Sequence, residues 1–121
     1  KLPIHYALAY PQRVATNFER FSFLKYPEFT FQQADTKTFR NLELAYAAMR
    51  KGGNMPCIIN AANEIVVDAF LKDKIGFLQM SDVIEHCMEK IQFISHPTIN
   101  NYLETDKQTR IFASELVTKQ K

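Results

Sequence analysis

The fold is decided by one apolar stretch, Ile58-Ile59-Asn60-Ala61-Ala62-Asn63-Glu64-Ile65-Val66-Val67-Asp68-Ala69-Phe70. In a helix, its apolar side chains form two neighbouring stripes, Ile58-Ala62-Ile65-Ala69 and Ile59-Ala62-Val66-Phe70. Together they make an apolar face that is wider than an ordinary surface helix needs. We therefore predict a central helix that packs against neighbours on more than one side.

Three polar side chains of this stretch, Asn60, Asn63 and Glu64, share one side of the predicted helix because they are spaced i, i+3 and i+4. Polar groups that converge near a helix N-terminus could hold a ligand. They could equally cap the helix or bond a neighbouring backbone, since buried amides need partners. We prefer the second interpretation and predict a structural polar cluster of Asn60, Asn63 and Glu64, with no catalytic, cofactor-binding or metal-binding residue.

Length and composition are those of a globular domain. The 121 residues suit one domain with a real core, and 46% of them are hydrophobic, which argues against disorder. The 15 basic and 13 acidic residues are interspersed, so neither a nucleic-acid nor a membrane partner is predicted. The chain begins with Lys1, partway into an apolar pattern, and without the apolar region of a signal peptide. We expect it to be a piece of a longer protein.

The N-terminal part changes its hydrophobic period. A short helix is predicted over residues 3–10, closed by Pro11. Alternation of Phe21 with Phe23 and of Phe29 with Phe31 then predicts two strands, Phe18–Leu24 and Glu28–Gln32. Because two strands alone are marginal in water, this ribbon must pack on the helices or complete a sheet supplied from elsewhere.

Helical patterns fill the rest of the chain. We predict helices over about residues 41–51 and 56–72, a third that Ser81 caps and that runs to about Ile91, and a last region that Thr98 caps. Gly52-Gly53 ends the first of them. The last region is expected in two parts, about 99–104 and 106–118. The expected fold class is α+β, mainly α: a short two-stranded ribbon followed by a C-terminal bundle of four to five helices.

Catalytic patterns are weak throughout. The histidines His5, His86 and His96 lack the spacing of a metal site. Asp82 and His86 are four residues apart, and we interpret this pair as a surface hydrogen bond rather than as two metal ligands. Cys87 follows His86, but adjacent helical residues point about 100° apart, and Cys87 falls on a buried stripe. A small hydrolase that uses Cys87 or His86 is therefore the weakest of our hypotheses.

Several motifs together resemble the family of 1-deoxy-D-xylulose 5-phosphate reductoisomerase. The most specific is the block Asn60-Ala61-Ala62-Asn63-Glu64, preceded by Gly52-Gly53 and followed by Ile75-Gly76-Phe77. The others are Leu2-Pro3-Ile4-His5-Tyr6-Ala7-Leu8, then Tyr10-Pro11-Gln12-Arg13, then Phe29-Thr30-Phe31. The resemblance covers nearly all of this chain, but only about the last third of the enzyme.

The resemblance implies a C-terminal fragment of an enzyme that uses NADPH and Mg²⁺ or Mn²⁺. That enzyme converts 1-deoxy-D-xylulose 5-phosphate to 2-C-methyl-D-erythritol 4-phosphate, in the non-mevalonate isoprenoid pathway of the bacterial cytoplasm. Residues 1–32 are then expected to be the end of the catalytic domain, and residues 41–121 to form a C-terminal helical domain that supports the catalytic domain. Residues 33–40 are expected to connect the two domains. The family's metal- and phosphate-binding residues precede Lys1, so the fragment alone is expected to bind no cofactor and to be inactive.

The resemblance also implies partners. These are the missing N-terminal NADPH and catalytic domains, and a second subunit, since the family homodimerises through strands of the region that contains Phe21–Phe31. The alternative hypothesis is a free-standing helical protein-interaction module. A natural 121-residue product in the native cell, detected by intact mass, would favour that alternative.

Overall fold

The structure is a computed structural model that describes residues 2–119, with the backbone alone at Leu2. The chain divides into two compact units, Lys1–Gln33 and Ala34–Lys121. The described residues form five helices: α1 (Leu2–Ala9), α2 (Arg40–Lys51), α3 (Met55–Leu71), α4 (Phe77–Lys90) and α5 (Ile99–Lys119). α1 belongs to the first unit and the other four helices to the second.

Helix α3 is the centre of the second unit and contacts α2, α4 and α5. Its two apolar stripes explain this position, because Ile58, Ala62 and Val66 are completely buried. The contributions of the other helices include Leu44 from α2, Ile84 from α4 and Ala113 from α5. The prediction of a central helix with neighbours on several sides is therefore confirmed.

Ala62 is the residue at which the two stripes of α3 overlap, and its side chain has no exposed surface. We expect Ala62→Leu to lower the free energy of unfolding by about 1–3 kcal/mol, because added methylenes must displace packed neighbours. Urea denaturation followed by circular dichroism measures the change. The same substitution at an exposed alanine of α2, Ala45→Leu, adds equal volume on the solvent side and is the control. Equal midpoints for the two variants would contradict tight packing at Ala62.

The predicted ribbon is wrong, and with it the α+β class. The structure has no strand within the described residues, which are helical or irregular. The chain turns inside the first predicted strand, since the Ser22 carbonyl accepts hydrogen bonds from the amides of Lys25 and Tyr26, both at 3.1 Å. The alternating phenylalanines suit a sheet, but the unit Lys1–Gln33 offers no third strand against which they could be buried.

Two details of the later helices also differ from the prediction. α4 begins at Phe77, where the Gly76 amide donates to Gln79 Oε1, so Ser81 lies inside the helix rather than capping it. Its hydroxyl donates instead to the Leu78 carbonyl at 2.8 Å. Phe77 and Leu78, which precede the predicted cap Ser81, form the first turn of α4.

Helix α5 is continuous, not divided. It begins as predicted after Thr98, whose Oγ1 accepts from the Asn101 amide while the Asn101 side chain accepts from the Thr98 amide. The predicted division after residue 104 is spanned by the side-chain pair of Gln108 with Glu104. None of the helices that the structure describes is long and apolar enough to cross a membrane.

Candidate functional site

The three polar residues singled out in the sequence lie on the exposed side of α3, and the two alanines between them are completely buried. Asn60 Nδ2 donates to Glu64 Oε1 at 3.2 Å, so two of the three are in contact. Asn60 and Asn63 line an open groove between α2, α3 and α4. Glu64 points to the other side, towards α5.

Glu64 belongs to a chain of ion pairs between α3 and α5. Arg110 Nη2 donates to Glu64 Oε2 at 2.8 Å, and Arg110 Nε donates to Asp106 Oδ2 at 2.7 Å. The hydrogen bond and charge of Arg110 lower the pKa of Glu64, with a smaller effect of Asn60. Hydrogen bonds to Asp106 and Glu64 raise the pKa of Arg110. All of these side chains are at least one-third exposed, so the pairs orient the two helices and contribute little stability.

The polar residue at the centre of the bundle is Asn54, which the sequence reading had not singled out. It is completely buried before α3, and every polar atom of its amide is used. Nδ2 donates to the Gln92 carbonyl at 2.9 Å and to Thr105 Oγ1 at 3.0 Å. Oδ1 accepts from the Ile94 amide at 2.9 Å, and the Asn54 amide donates to the Ile94 carbonyl at 3.0 Å. Asn54 thus joins α3, the segment after α4, and α5.

A local signal for Asn54 existed in the sequence. An asparagine that follows Gly52-Gly53 and precedes Pro56 stands where a helix N-cap is expected. Its carbonyl does accept from the amides of Cys57 and Ile58. Its side chain does not cap α3, because it bonds residues 38 to 51 positions away, and no local pattern predicts those partners.

Two grooves run along one side of the second unit. The larger, of about 380 Å³, is lined by Asn41, Ala45, Pro56, Ile59, Asn60, Asn63 and Ile84. The smaller, of about 90 Å³, is lined by Thr38, Phe39, Arg40, Asn41, Phe77, Leu78 and Ser81. Asn41 lines both, so the two grooves form one surface across the start of α2, the middle of α3 and the start of α4.

The residues of the second unit give little support to a nucleophilic or metal-dependent catalytic site. Cys87 is completely buried, and burial raises the pKa of its thiol to about 11, so it is protonated at neutral pH. His86 Nδ1 lies 2.8 Å from the Asp82 carbonyl, so the ring is held by its own helix. Within residues 2–119, no three His, Cys, Asp or Glu side chains come together in a way that could hold a metal ion.

The unit Lys1–Gln33 carries an exposed aromatic group around Phe21. The Phe21 ring stacks on Tyr26 with centroids 5.5 Å apart, and Phe23 and Phe29 contact it at 5.0 and 5.7 Å. Beyond this group, Leu24 and Phe31 are 95% and 90% exposed. Exposed apolar side chains at this density are typical of a surface that another protein segment covers.

Comparison with known proteins gives a consistent result. The family described as DXP reductoisomerase C-terminal domain matches residues 1–112. The 1-deoxy-D-xylulose 5-phosphate reductoisomerase of Phocaeicola vulgatus is 57% identical over 117 residues, which are 97% of this chain and 31% of that protein. The enzyme of Bacteroides fragilis is 56% identical over 119 residues, again with 31% of its length matched. The chain therefore spans about a third of the length of these relatives.

Solved structures of related proteins have the same fold as this chain. The 1-deoxy-D-xylulose 5-phosphate reductoisomerase from Zymomonas mobilis, in complex with NADPH, matches 96% of this chain with a TM-score of 0.83 and 35% identity. A DOX-P reductoisomerase in complex with magnesium matches 98% with a TM-score of 0.83 and 28% identity. The matched part is 31% of the first of those chains and 32% of the second.

Proposed function

Because this chain belongs to the family of DXP reductoisomerase C-terminal domains, as its motifs predicted, we propose that it is the C-terminal portion of such an enzyme. The parent protein converts 1-deoxy-D-xylulose 5-phosphate to 2-C-methyl-D-erythritol 4-phosphate, with NADPH as reductant and Mg²⁺ or Mn²⁺ as metal. The portion described here supports the catalytic domain and supplies no catalytic residue. The observation that carries this proposal is 57% identity to such an enzyme across 97% of the chain.

The residues of this chain do not fit the cofactors of the parent. NADPH is usually held by a glycine-rich turn after a strand, and the three glycines here are Gly52 and Gly53 at a helix end and Gly76 before α4. No acidic or histidine cluster among the described residues has the donor set of a metal site. Both cofactors therefore belong, in this proposal, to the part of the parent that lies outside the chain.

The two units belong, in this proposal, to different domains of the parent. We assign residues 1–32 to the end of the catalytic domain, residues 33–40 to a connection and residues 41–121 to the helical domain. The exposed phenylalanines of the first unit support the assignment, because an apolar surface of this kind is typical of one that another protein segment covers. In the parent, the segment around Phe21–Phe31 packs against the catalytic domain and approaches the second subunit of a homodimer.

The three polar residues of the block from Asn60 to Glu64 have structural roles in this proposal. Glu64 pairs with Arg110 and holds α3 against α5, while Asn60 and Asn63 remain available on the outer surface. The parent works in the bacterial cytoplasm, without nucleic acid or a membrane as partner. The interspersed charges of the chain, with a net charge of +2, agree with this.

An activity assay tests the proposal. With 1-deoxy-D-xylulose 5-phosphate, NADPH and Mn²⁺, the parent should oxidise NADPH, and the 121-residue chain should not. A parent that ends at residue 40 should lose at least about a hundredfold in rate, because misplaced catalytic groups cost that much. Circular dichroism of the 121-residue chain serves as control, since an inactive chain must be shown to be folded. Turnover by that chain, or full activity of the shortened parent, would contradict the proposal.

A further inference from the structure

We propose that the second unit binds the remainder of the parent polypeptide through one surface, the neutral face, formed by Phe39, Asn41, Asn60, Asn63, Phe77 and Leu78. This inference rests on the proposed function and deepens it, since it names the surface through which the helical domain supports the catalytic part. Four observations carry it: exposed apolar groups, absence of unpaired charge, available amides and the point at which the chain enters the bundle.

The neutral face exposes large apolar side chains beside a groove. Phe39, Phe77 and Leu78 line the smaller groove and are 63%, 66% and 75% exposed. They come from two elements, the residue before α2 and the first turn of α4, so they form a patch rather than scattered residues. Phe77 is also held from behind by Phe70, with ring centroids 5.8 Å apart. A preformed aromatic patch of this kind is typical of a protein–protein contact.

Charge distinguishes the neutral face from the outer surface of α5. Among the described residues that line the two grooves, Arg40 alone is charged, and it is ion-paired with Glu85. The exposed residues of α5 include Glu104, Lys107, Glu115 and Lys119. Because charged residues are depleted from the centres of interfaces, the neutral face is the better candidate, although Leu103 and Ile111 of α5 are also exposed.

The asparagines of the neutral face define the chemistry of the occupant. Each carboxamide offers two N–H donors and a carbonyl acceptor without a charge that must be neutralised. Asn60 uses a single donor, on Glu64, and it lines the larger groove together with Asn41 and Asn63. An uncharged segment that presents apolar side chains and main-chain N–H and C=O groups complements this arrangement.

We infer that the remainder of the parent occupies the neutral face, because it is covalently attached next to this face. The matching family is described as a C-terminal domain, and the chain spans about a third of its relatives, so in the proposed parent other domains precede it. They are joined to the second unit through the residues before α2, and Phe39, the last of these, is itself part of the neutral face. A covalently attached domain therefore has a high effective concentration at this surface.

Site-specific thiol labelling tests the inference. Leu78→Cys and the control Leu103→Cys are made in the full-length parent and in the 121-residue chain, and the labelled peptides are quantified by mass spectrometry. In the parent, Leu78→Cys should react at least about tenfold more slowly than in the chain, because contact with the partner limits access to local opening. Leu103→Cys should react at rates within about twofold in both proteins, since α5 stays exposed.

Hydrogen exchange of the unmodified proteins gives a second measurement. The first amides of α4 have no acceptor within the helix, so their exchange is fast unless a partner covers them. They should be protected in the parent and unprotected in the chain. Equal labelling and equal exchange in both would overturn the inference, as would concentration-dependent protection in the chain alone, which indicates a second copy. NADPH oxidation by the parent tests the proposed function separately, because labelling reports on the surface whether or not turnover occurs.

Discussion

Asn54→Ala should lower the free energy of unfolding of the chain by about 3–5 kcal/mol, because it leaves three partners unsatisfied. Those partners are the Gln92 carbonyl, the Ile94 amide and the Thr105 hydroxyl, all of which bond the Asn54 side chain. The bond to Thr105 is buried and those to Gln92 and Ile94 are partly buried, so water replaces the lost bonds only incompletely. Urea denaturation monitored by circular dichroism should show a lower midpoint at an unchanged slope.

A matched control for this variant is Asn63→Ala, which removes the same amide from an exposed position on α3. In the 121-residue chain it should change stability by less than about 0.5 kcal/mol, as surface substitutions usually do. If both variants were equally stable, the bonds of Asn54 would not hold the segment after α4 against α3 and α5. The shared Asn→Ala chemistry makes the contrast depend on position alone.

Asn54→Asp separates the loss of hydrogen bonds from the loss of volume. A carboxylate oxygen in place of Nδ2 would face the Gln92 carbonyl, whereas a protonated carboxyl group could still donate to it. Folding therefore favours the protonated form, so the loss of stability relative to Asn54 should be smallest at low pH. Its stability relative to Asn54 should fall as pH rises through the titration of the carboxyl group. Denaturation midpoints at several pH values measure this trend, and a flat difference would contradict it.

The helical part of the fold could be predicted because its apolar period is strong. The stripes of α3 place Ile58, Ala62 and Val66 in the core, and the structure buries all three. The Gly52-Gly53 stop and the Thr98 cap were also predictable, because each acts through bonds within a few residues. The start of α4 was not, because Ser81 is a good capping residue in the wrong place and Gly76 has no side chain to signal a cap.

The two-stranded ribbon failed for a different reason. Alternation of Phe21 with Phe23 and of Phe29 with Phe31 favours strands of a sheet that is buried on one face. A sheet needs further strands, and the described part of the unit Lys1–Gln33 contains none. The phenylalanines instead contact one another and Tyr26 around a turn. A local pattern thus predicts what a segment can form with partners, not what it forms without them.

The polar residues show the same limit at the candidate site. Spacing predicts that Asn60, Asn63 and Glu64 share one side of α3, but it could not show that Asn60 and Asn63 line a groove there. Nor could it show that Glu64 meets Arg110, which is 46 residues away. Asn54 was overlooked because its side-chain partners lie on the segment after α4 and on α5. A buried amide is identified by its long-range contacts, and those depend on how the helices pack.

Gly53→Ala is the second variant for which a large loss is expected, roughly 2–5 kcal/mol. Gly53 has φ +56°, a left-handed conformation that costs an alanine about 1–2 kcal/mol. A Cβ there would also lie 2.3 Å from the Ile94 carbonyl oxygen and 2.8 Å from the Phe93 ring. The ring can move, but the Ile94 carbonyl is fixed by its bond from the Asn54 amide, so the junction between α2 and α3 must shift.

Gly52→Ala is the comparison, because a Cβ there would meet no atom within 4 Å, while the backbone at φ +68° and ψ −149° is one that only glycine adopts readily. Both variants should unfold at lower urea concentration, Gly52→Ala through backbone strain alone and Gly53→Ala through strain and the additional contact, which adds about 1–3 kcal/mol. A loss at Gly53 no larger than the about 1–2 kcal/mol of its own backbone conformation would mean that the contact with Ile94 is relieved without cost. Since Gly53 and Asn54 hold the same segment, the double variant Gly53→Ala/Asn54→Ala should lose less than the sum of the single losses. Additive losses would instead mean that the clash at Ile94 and the bonds of Asn54 act independently, and that the segment after α4 is held at two separate points.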